Sequence, residues 1–260
     1  MTLVWTNYVA LRDQILPEAR RGSRLRTDVT LAVGVGADGG WELEKAREPM
    51  AEAARLRLRC CYSLATLATY RGHNAQSWYD EREWLKIAVN VRRIIDAARA
   101  AKHKLLCIDL EPYLGDASSY PAWPRVGDVT SQVAEAAAAM RPMLVTLTLW
   151  PHRLAVAPGG LEYGVVPLIL ARRAHKALWL DEWALFARTA ADMDAALRHL
   201  DSRKRAADAI GVPFAAGWKW PLLADAEAAR RAFGWAKENE CDCWLHGELD
   251  DAAITWLFGE

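Results

Sequence analysis

Short apolar runs alternate with longer amphipathic stretches along the whole chain. The runs predict strands at Leu3–Tyr8, Asp28–Val35, Leu58–Leu64, Lys104–Glu111, Leu144–Trp150, Ala177–Trp183, Phe214–Trp220 and Cys241–Gly247. Stretches rich in Ala, Arg, Glu and Leu predict helices at Val9–Arg21, Leu43–Ala54, Glu81–Ala101, Val129–Met140, Phe186–Ala209, Ala226–Glu238 and Asp250–Phe258. A shorter helical stretch, Val165–His175, is interrupted by Pro167. Strand–helix alternation of this kind implies crossover connections and a parallel sheet. Eight strands predict closure into a barrel, and 260 residues match the roughly 250 that such a domain uses. The expected fold is therefore α/β, a (β/α)8 TIM barrel, with residues 1–260 as a single domain. An open doubly wound sheet is the alternative. The glycines of Gly34-Val35-Gly36-Ala37-Asp38-Gly39-Gly40 lack the G-x-G-x-x-G spacing of a phosphate loop and read as a turn.

Side chains alternate between the two faces of a strand, so polarity assigns an inward row. In the fourth strand Leu106, Ile108 and Leu110 suit the helix-covered side, leaving Cys107, Asp109 and Glu111 inward. In the fifth, Thr146, Thr148 and Trp150 face in; in the sixth, Trp179, Asp181 and Trp183; in the eighth, Asp242, Trp244 and His246. The seventh is ambiguous: either Ala215, Gly217 and Lys219 face in, or Ala216, Trp218 and Trp220 do. The long irregular stretches Pro112–Gly127 and Pro151–Gly164 both follow strands, which in a barrel puts them on the C-terminal face where active sites are built.

Composition narrows the function. Thirty-three basic residues balance thirty-three acidic ones. A neutral chain has no global field for nucleic acid or an anionic membrane, and no apolar run approaches the ~20 residues of a membrane span. The five cysteines lack zinc-site spacing: Cys60 and Cys61 are adjacent, Cys241 and Cys243 are one residue apart, and Cys107 stands in an apolar run. They suit a reducing compartment, and Met1–Arg12 has no secretion-signal pattern. The expectation is a cytoplasmic protein that meets an external polymer only through lysis or as part of a larger assembly. Neither G-x-S-x-G nor H-E-x-x-H occurs.

Thirteen tryptophans are an unusual number. Trp150, Trp183, Trp218, Trp220 and Trp244 fall at or near strand ends. Indoles present flat faces to the apolar C–H faces of sugars. Trp179, Trp235 and Trp256 read as core.

Asp109-Leu110-Glu111 is the sharpest feature. Two carboxylates on one face of a buried strand cannot both ionise cheaply, so one pKa rises, and a protonated carboxyl near neutral pH can protonate a leaving oxygen. An ion pair with Arg59 or Lys219 is the bland alternative. Asp181 would supply the second carboxylate that glycoside hydrolysis uses, and Thr148 and His246 would contact substrate.

The segment Cys107-Ile108-Asp109-Leu110-Glu111 resembles the fourth-strand signature of family-18 chitinases, which ends in D-x-E; family-25 lysozymes also carry D-x-E on a barrel strand. The chitinase resemblance implies a (β/α)8 barrel in which Glu111 donates the proton and Asp109 assists a substrate acetamido group. Leu180-Asp181 stands where those chitinases have Tyr-Asp, and Trp244 matches their eighth-strand Trp. Cys107 replaces the nearer of the family's earlier Asp residues, and Leu180 replaces the Tyr.

The leading expectation is a glycosidase cleaving a polysaccharide or glycan, without a cofactor. Its catalytic residues would be Glu111, Asp109 and Asp181. Its substrate-binding residues would be Trp150, Trp183, Trp218, Trp220, Trp244, His246 and Thr148. Two alternatives stand beside it: a metal-dependent barrel isomerase or lyase with Asp109, Glu111, Asp181 and His246 as ligands, and a non-catalytic carbohydrate-binding barrel.

Overall fold

The computed structural model describes residues 2–36, 40–65, 81–103, 105–110, 144–149, 179–181, 189–209, 214–247 and 249–259. Among the described residues there are eight strands: β1 (Thr2–Asn7), β2 (Val29–Gly36), β3 (Cys60–Ala65), β4 (Leu105–Leu110), β5 (Leu144–Leu149), β6 (Trp179–Asp181), β7 (Phe214–Lys219) and β8 (Asp242–His246). Their order in the sheet is β5-β4-β3-β2-β1-β8-β7-β6. The first strand thus pairs with the last, and each remaining neighbour is consecutive in the chain, which is the strand order of a (β/α)8 fold. The ladders β1–β8, β3–β4, β4–β5 and β7–β8 are all parallel. The expected α/β class holds, and strand positions agree with the sequence to within one or two residues wherever both are described. The expected helices at Val129–Met140 and Val165–His175 lie outside the described residues.

Contacts divide the chain into two compact units, Met1–Val33 with Lys45–Cys60 and Leu180–Glu260, and Gly34–Glu44 with Cys61–Trp179. In the first unit a helical segment follows β1. It opens on Asn7, whose side chain accepts a hydrogen bond from Ala10 N–H at 2.8 Å and so satisfies one of the free donors of a helix start. Leu11–Ile15 then winds in wider turns before Leu16–Arg20 completes the segment. Pro17 explains the widening, since it has no N–H to return to the preceding turn. Leu11, Ile15 and Leu16 are all fully buried.

The expected helix Phe186–Ala209 does not run unbroken, and its residues 186–188 lie outside the described residues. Thr189 is extended (φ −134°, ψ 164°) and starts a tight turn, Ala190–Asp192, leading into the helix Met193–Ala209. Thr189 N–H and Oγ1 both donate to the Asp192 carboxylate at 3.0 Å. That capping exchange stops helical geometry from running through Thr189.

The helices Met193–Ala209 and Ala226–Glu238 dock together. The Trp235 indole donates to Asp201 Oδ1 at 2.7 Å, and Arg231 pairs with Asp194. Asp225 caps the second helix by accepting from Glu227 N–H and Ala228 N–H, and it also accepts from Ala190 N–H at 3.0 Å. These backbone donors hold its carboxyl below the usual range. Trp235 also meets Phe214 of β7 edge to face, with ring centroids 6.2 Å apart, which sets this helix over the Phe214 face of the strand. No described helix is long and apolar enough to cross a membrane.

In the second unit Ile94, Ile95 and Ala98 of the helix Glu81–Ala100 are buried. Beyond that helix His103 lies against Tyr62 of β3, with centroids 5.0 Å apart. Its Nδ1 is buried without a hydrogen-bond partner, and burial lowers its pKa.

Two outcomes are expected. Trp235→Ala removes a large buried ring and an interhelical hydrogen bond. It should cost about 3–5 kcal/mol in urea unfolding, and Trp235→Phe distinctly less; equal losses for the two would assign the whole effect to the indole hydrogen bond. His103 is depressed in the folded state, so the unfolded chain takes up its proton first. Stability should be complete above about pH 6.5 and decline as pH falls below it toward the folded pKa. A urea-midpoint series from pH 8 to 5 should show a shallower slope in His103→Gln than in wild type.

Candidate active site

The strand register decides which side chains share a face. In the first unit, Gly217 pairs with Trp244 and Lys219 with His246, while Trp218 pairs with Leu245 and Ala216 with Cys243. Leu3 pairs with Trp244 and Val4 with Leu245. Phe214, Ala216 and Trp218 therefore lie on the side covered by the helix Ala226–Glu238, together with Cys243, Leu245 and Val4. The opposite side carries Leu3, Trp5, Trp244, Gly217 and Lys219, with His246 in the same row as Lys219. This resolves the ambiguity of the seventh strand in favour of Ala215, Gly217 and Lys219.

That register takes Trp218 off the face expected to meet sugar: its side chain is completely buried on the helix side. Trp220 begins the short turn Trp220–Ala224 and is 3% exposed. It packs edge to face on Trp256 at 5.8 Å, and Trp256 in turn stacks on Phe233 at 5.9 Å and carries the Arg26 guanidinium 4.6 Å above its ring. Trp220 thus belongs to an aromatic cluster with the C-terminal helix Asp251–Phe258. Trp244 stays on the expected face but is 2% exposed, and its indole N–H has no hydrogen-bond partner.

At the C-terminal ends of β1 and β8 a cavity of about 300 Å3 is lined by Trp5, Asn7, Asp13, Gln14, Gly247 and Leu249, among others. Sequence reasoning assigned no role to Trp5 or Asn7. The signal was available, because both end the first strand and Trp5 has the parity of Leu3. Gly247 leaves β8 with φ +124°, a conformation that suits glycine.

In the second unit Asp109 pairs with Ala65 on one side and Thr148 on the other, and Cys107 pairs with Ser63 and Thr146. Tyr62 pairs with Leu106, two positions that belong to the opposite face, where the His103 ring lies tilted against Tyr62. The row expected from polarity, Cys107 and Asp109 with Thr146 and Thr148, is therefore one face of a continuous ladder. Cys61, Ser63 and Cys107 on it are buried, and the Cys61 and Cys107 Sγ atoms lie 3.8 Å apart. The side chains of Asp109, Thr148, Asp181 and His246 lie outside what the structure describes, as do residues Glu111, Trp150 and Trp183 altogether.

No disulfide joins any of the five cysteines. Burial pushes Cys60 and Cys243 up to about 12 and Cys241 up to about 11. These three thiols stay protonated at neutral pH and are poor nucleophiles. Among the described residues no group of three or more His, Cys, Asp and Glu could hold a metal ion.

No protein-family model matches the chain. No curated protein sequence matches it either. Solved structures do. A plant class V chitinase mutant from Cycas revoluta in complex with (GlcNAc)3 aligns over 99% of this chain and 97% of its own, with TM-score 0.62 and 11% identity. The spore cortex-lytic enzyme SleL of Bacillus cereus aligns over 99% of this chain and 73% of its own, with TM-score 0.56 and 10% identity. The catalytic domain of a β-amylase from Paenibacillus polymyxa aligns over 97% and 94%, with TM-score 0.55 and 7% identity. The chain has the α/β fold shared by these glycoside hydrolases, and at such identities the likeness is one of fold.

Gly247→Ala should lower stability by about 1–3 kcal/mol through backbone strain. A Cβ there would meet only Trp220 Cδ1 at an ordinary 3.5 Å, so Gly247→Ala and Gly247→Ser should lose similar amounts in denaturant titrations. A much larger loss for serine would point to crowding instead.

Proposed function

We propose that this chain is a glycoside hydrolase acting on a polysaccharide or glycan. The observation that carries the reading is the register of β4: Asp109 stands beside Thr148 on the face of Cys107 and Ser63, opposite the helix-side positions Tyr62 and Leu106. Glu111 has the same parity as Asp109 and follows the last residue of the strand, Leu110. In a parallel α/β sheet the carboxyl ends of the strands are where catalytic groups gather. Glu111 is the general acid/base in this proposal, Asp109 tunes its proton affinity, and Asp181 is the second carboxylate.

The row leading up to Asp109 is dry: Cys61, Ser63 and Cys107 are buried. A second carboxylate beyond such a row resists ionisation while Asp109 is charged, which favours the protonated state that a leaving oxygen needs. The structural neighbours support the same chemistry: one is a chitinase bound to (GlcNAc)3, one a cortex-lytic enzyme and one a β-amylase. An N-acetylated glycan is the preferred substrate class, because the resemblance of Asp109-Leu110-Glu111 to the family-18 signature implies a substrate whose acetamido group takes part.

Glu111→Gln should lower kcat on the responsive glycan by about 10²–10⁴-fold while leaving the thermal melting temperature and ligand affinity nearly unchanged. Chitooligosaccharides and α-glucans form the starting panel. Full turnover by Glu111→Gln on a glycan that the wild type cleaves would sink the assignment of Glu111.

A further inference from the structure

The last residues of β7 and β8, Lys219 and His246, pair across the ladder. Val4 pairs with Leu245, so Trp5 is the next residue of β1 along that same row. Trp5, His246 and Lys219 thus form one line across three strands at their C-terminal ends. The row beneath it is Leu3, Trp244 and Gly217, where Gly217 has no side chain to compete with the large neighbouring indole. Beyond Trp5 lies the cavity bordered by Asn7, Asp13, Gln14 and Gly247. The two amide side chains, Asn7 and Gln14, offer neutral hydrogen-bonding groups there. Asp13 is neutralised by Arg12, which holds both its oxygens at 2.6 Å.

Lys219 is part-buried, and among the described residues no carboxylate stands within ion-pair distance of it. An ammonium taken partly out of water without a counter-ion is costly. It is far better accommodated when a ligand brings the negative charge. Resting on the glycoside-hydrolase reading above, we propose that this end of β1, β8 and β7 is a subsite for an acidic sugar. Lys219 takes a carboxylate carried on the ring, as in a uronic acid, or on an ether substituent, while Trp5 offers its ring face to the sugar. A neutral glycan meets the same indole but brings no anion to the ammonium, so the subsite discriminates by charge.

Binding is measured calorimetrically on the full chain carrying Glu111→Gln, so that turnover does not interfere. The probes are a neutral N-acetylglucosamine tetrasaccharide, a tetrasaccharide alternating N-acetylglucosamine with glucuronate, and an N-acetylmuramic acid–N-acetylglucosamine disaccharide. At least one acidic probe should bind about tenfold more tightly than the neutral one, and which one does so distinguishes ring from ether carboxylate. In Lys219→Met that preference should vanish with the neutral affinity held within about twofold, and Lys219→Arg should retain most of it; melting curves show whether each variant is folded. Raised salt should weaken only the acidic probe. Equal affinity for acidic and neutral probes overturns the proposal while leaving the glycosidase reading intact. An equal loss for both in Lys219→Met also overturns it, by assigning Lys219 to a carboxylate of the protein. Binding of none of the three rejects the subsite, and the turnover panel then decides separately whether the chain acts on glycans at all.

Discussion

Lateral register between parallel strands is the constraint on which the other features of this chain rest. Side chains alternate with a period of two, so a slip of one residue would exchange every helix-facing position for one on the opposite side. The Val4–Leu245 and Trp218–Leu245 pairings fix that choice across three strands at once. Phe214 then meets Trp235, and the helix Ala226–Glu238 can cover the β7 face only in this register. The same pairings leave Trp244 and Lys219 on the other side. Core and candidate site are thus two consequences of one set of hydrogen bonds.

Much of this was legible in the residues. Strand positions follow from runs of apolar residues bounded by polar ones, and the fourth and fifth strands declare their faces because Asp109 and Thr148 interrupt aliphatic neighbours in the same rhythm. The seventh strand does not declare itself. In Phe214-Ala215-Ala216-Gly217-Trp218 all five residues are buried, so burial demands low polarity on both faces and erases the alternation. Its orientation is information held by β8, and only the pairing transfers it. The expected helix is interrupted at Thr189 for a local reason: amphipathic periodicity continues through that residue, but the Asp192 carboxylate offers it a capping geometry incompatible with helix.

Tryptophan count was a weaker guide than tryptophan position. An indole at a strand end can serve a ligand, fill the helix layer or clamp an arginine, and the chain uses the residue in more than one of these ways. Trp220 and Trp256 form an aromatic cluster with Phe233 beneath Arg26. Trp235 spends its N–H on Asp201. Their places on a turn and on helices separate these from Trp5 and Trp244, and parity separates Trp218; hydrophobicity does neither.

Among the described residues, three of the buried polar groups left unmatched are indole donors. Trp218, Trp220 and Trp244 each keep an indole N–H without a hydrogen-bond acceptor, although such groups are usually satisfied. For Trp218 and Trp220 the large apolar contact of the ring offsets one lost hydrogen bond, since each is enclosed on the helix side or in an aromatic cluster. Trp244 differs, because it stands in the row directly beneath Lys219 and His246. Gly217 stands beside that indole and Lys219 ends the strand above it, so a buried donor and a part-buried cation share one face of the ladder. Polar recognition by few groups on an aromatic floor is the usual economy of a sugar site, where hydroxyls select and ring faces adhere. In the proposed subsite the groups of that kind are Trp5 and Lys219, near the C-terminal ends of β1 and β7 within one compact unit, while Trp244 stays enclosed in the row beneath them.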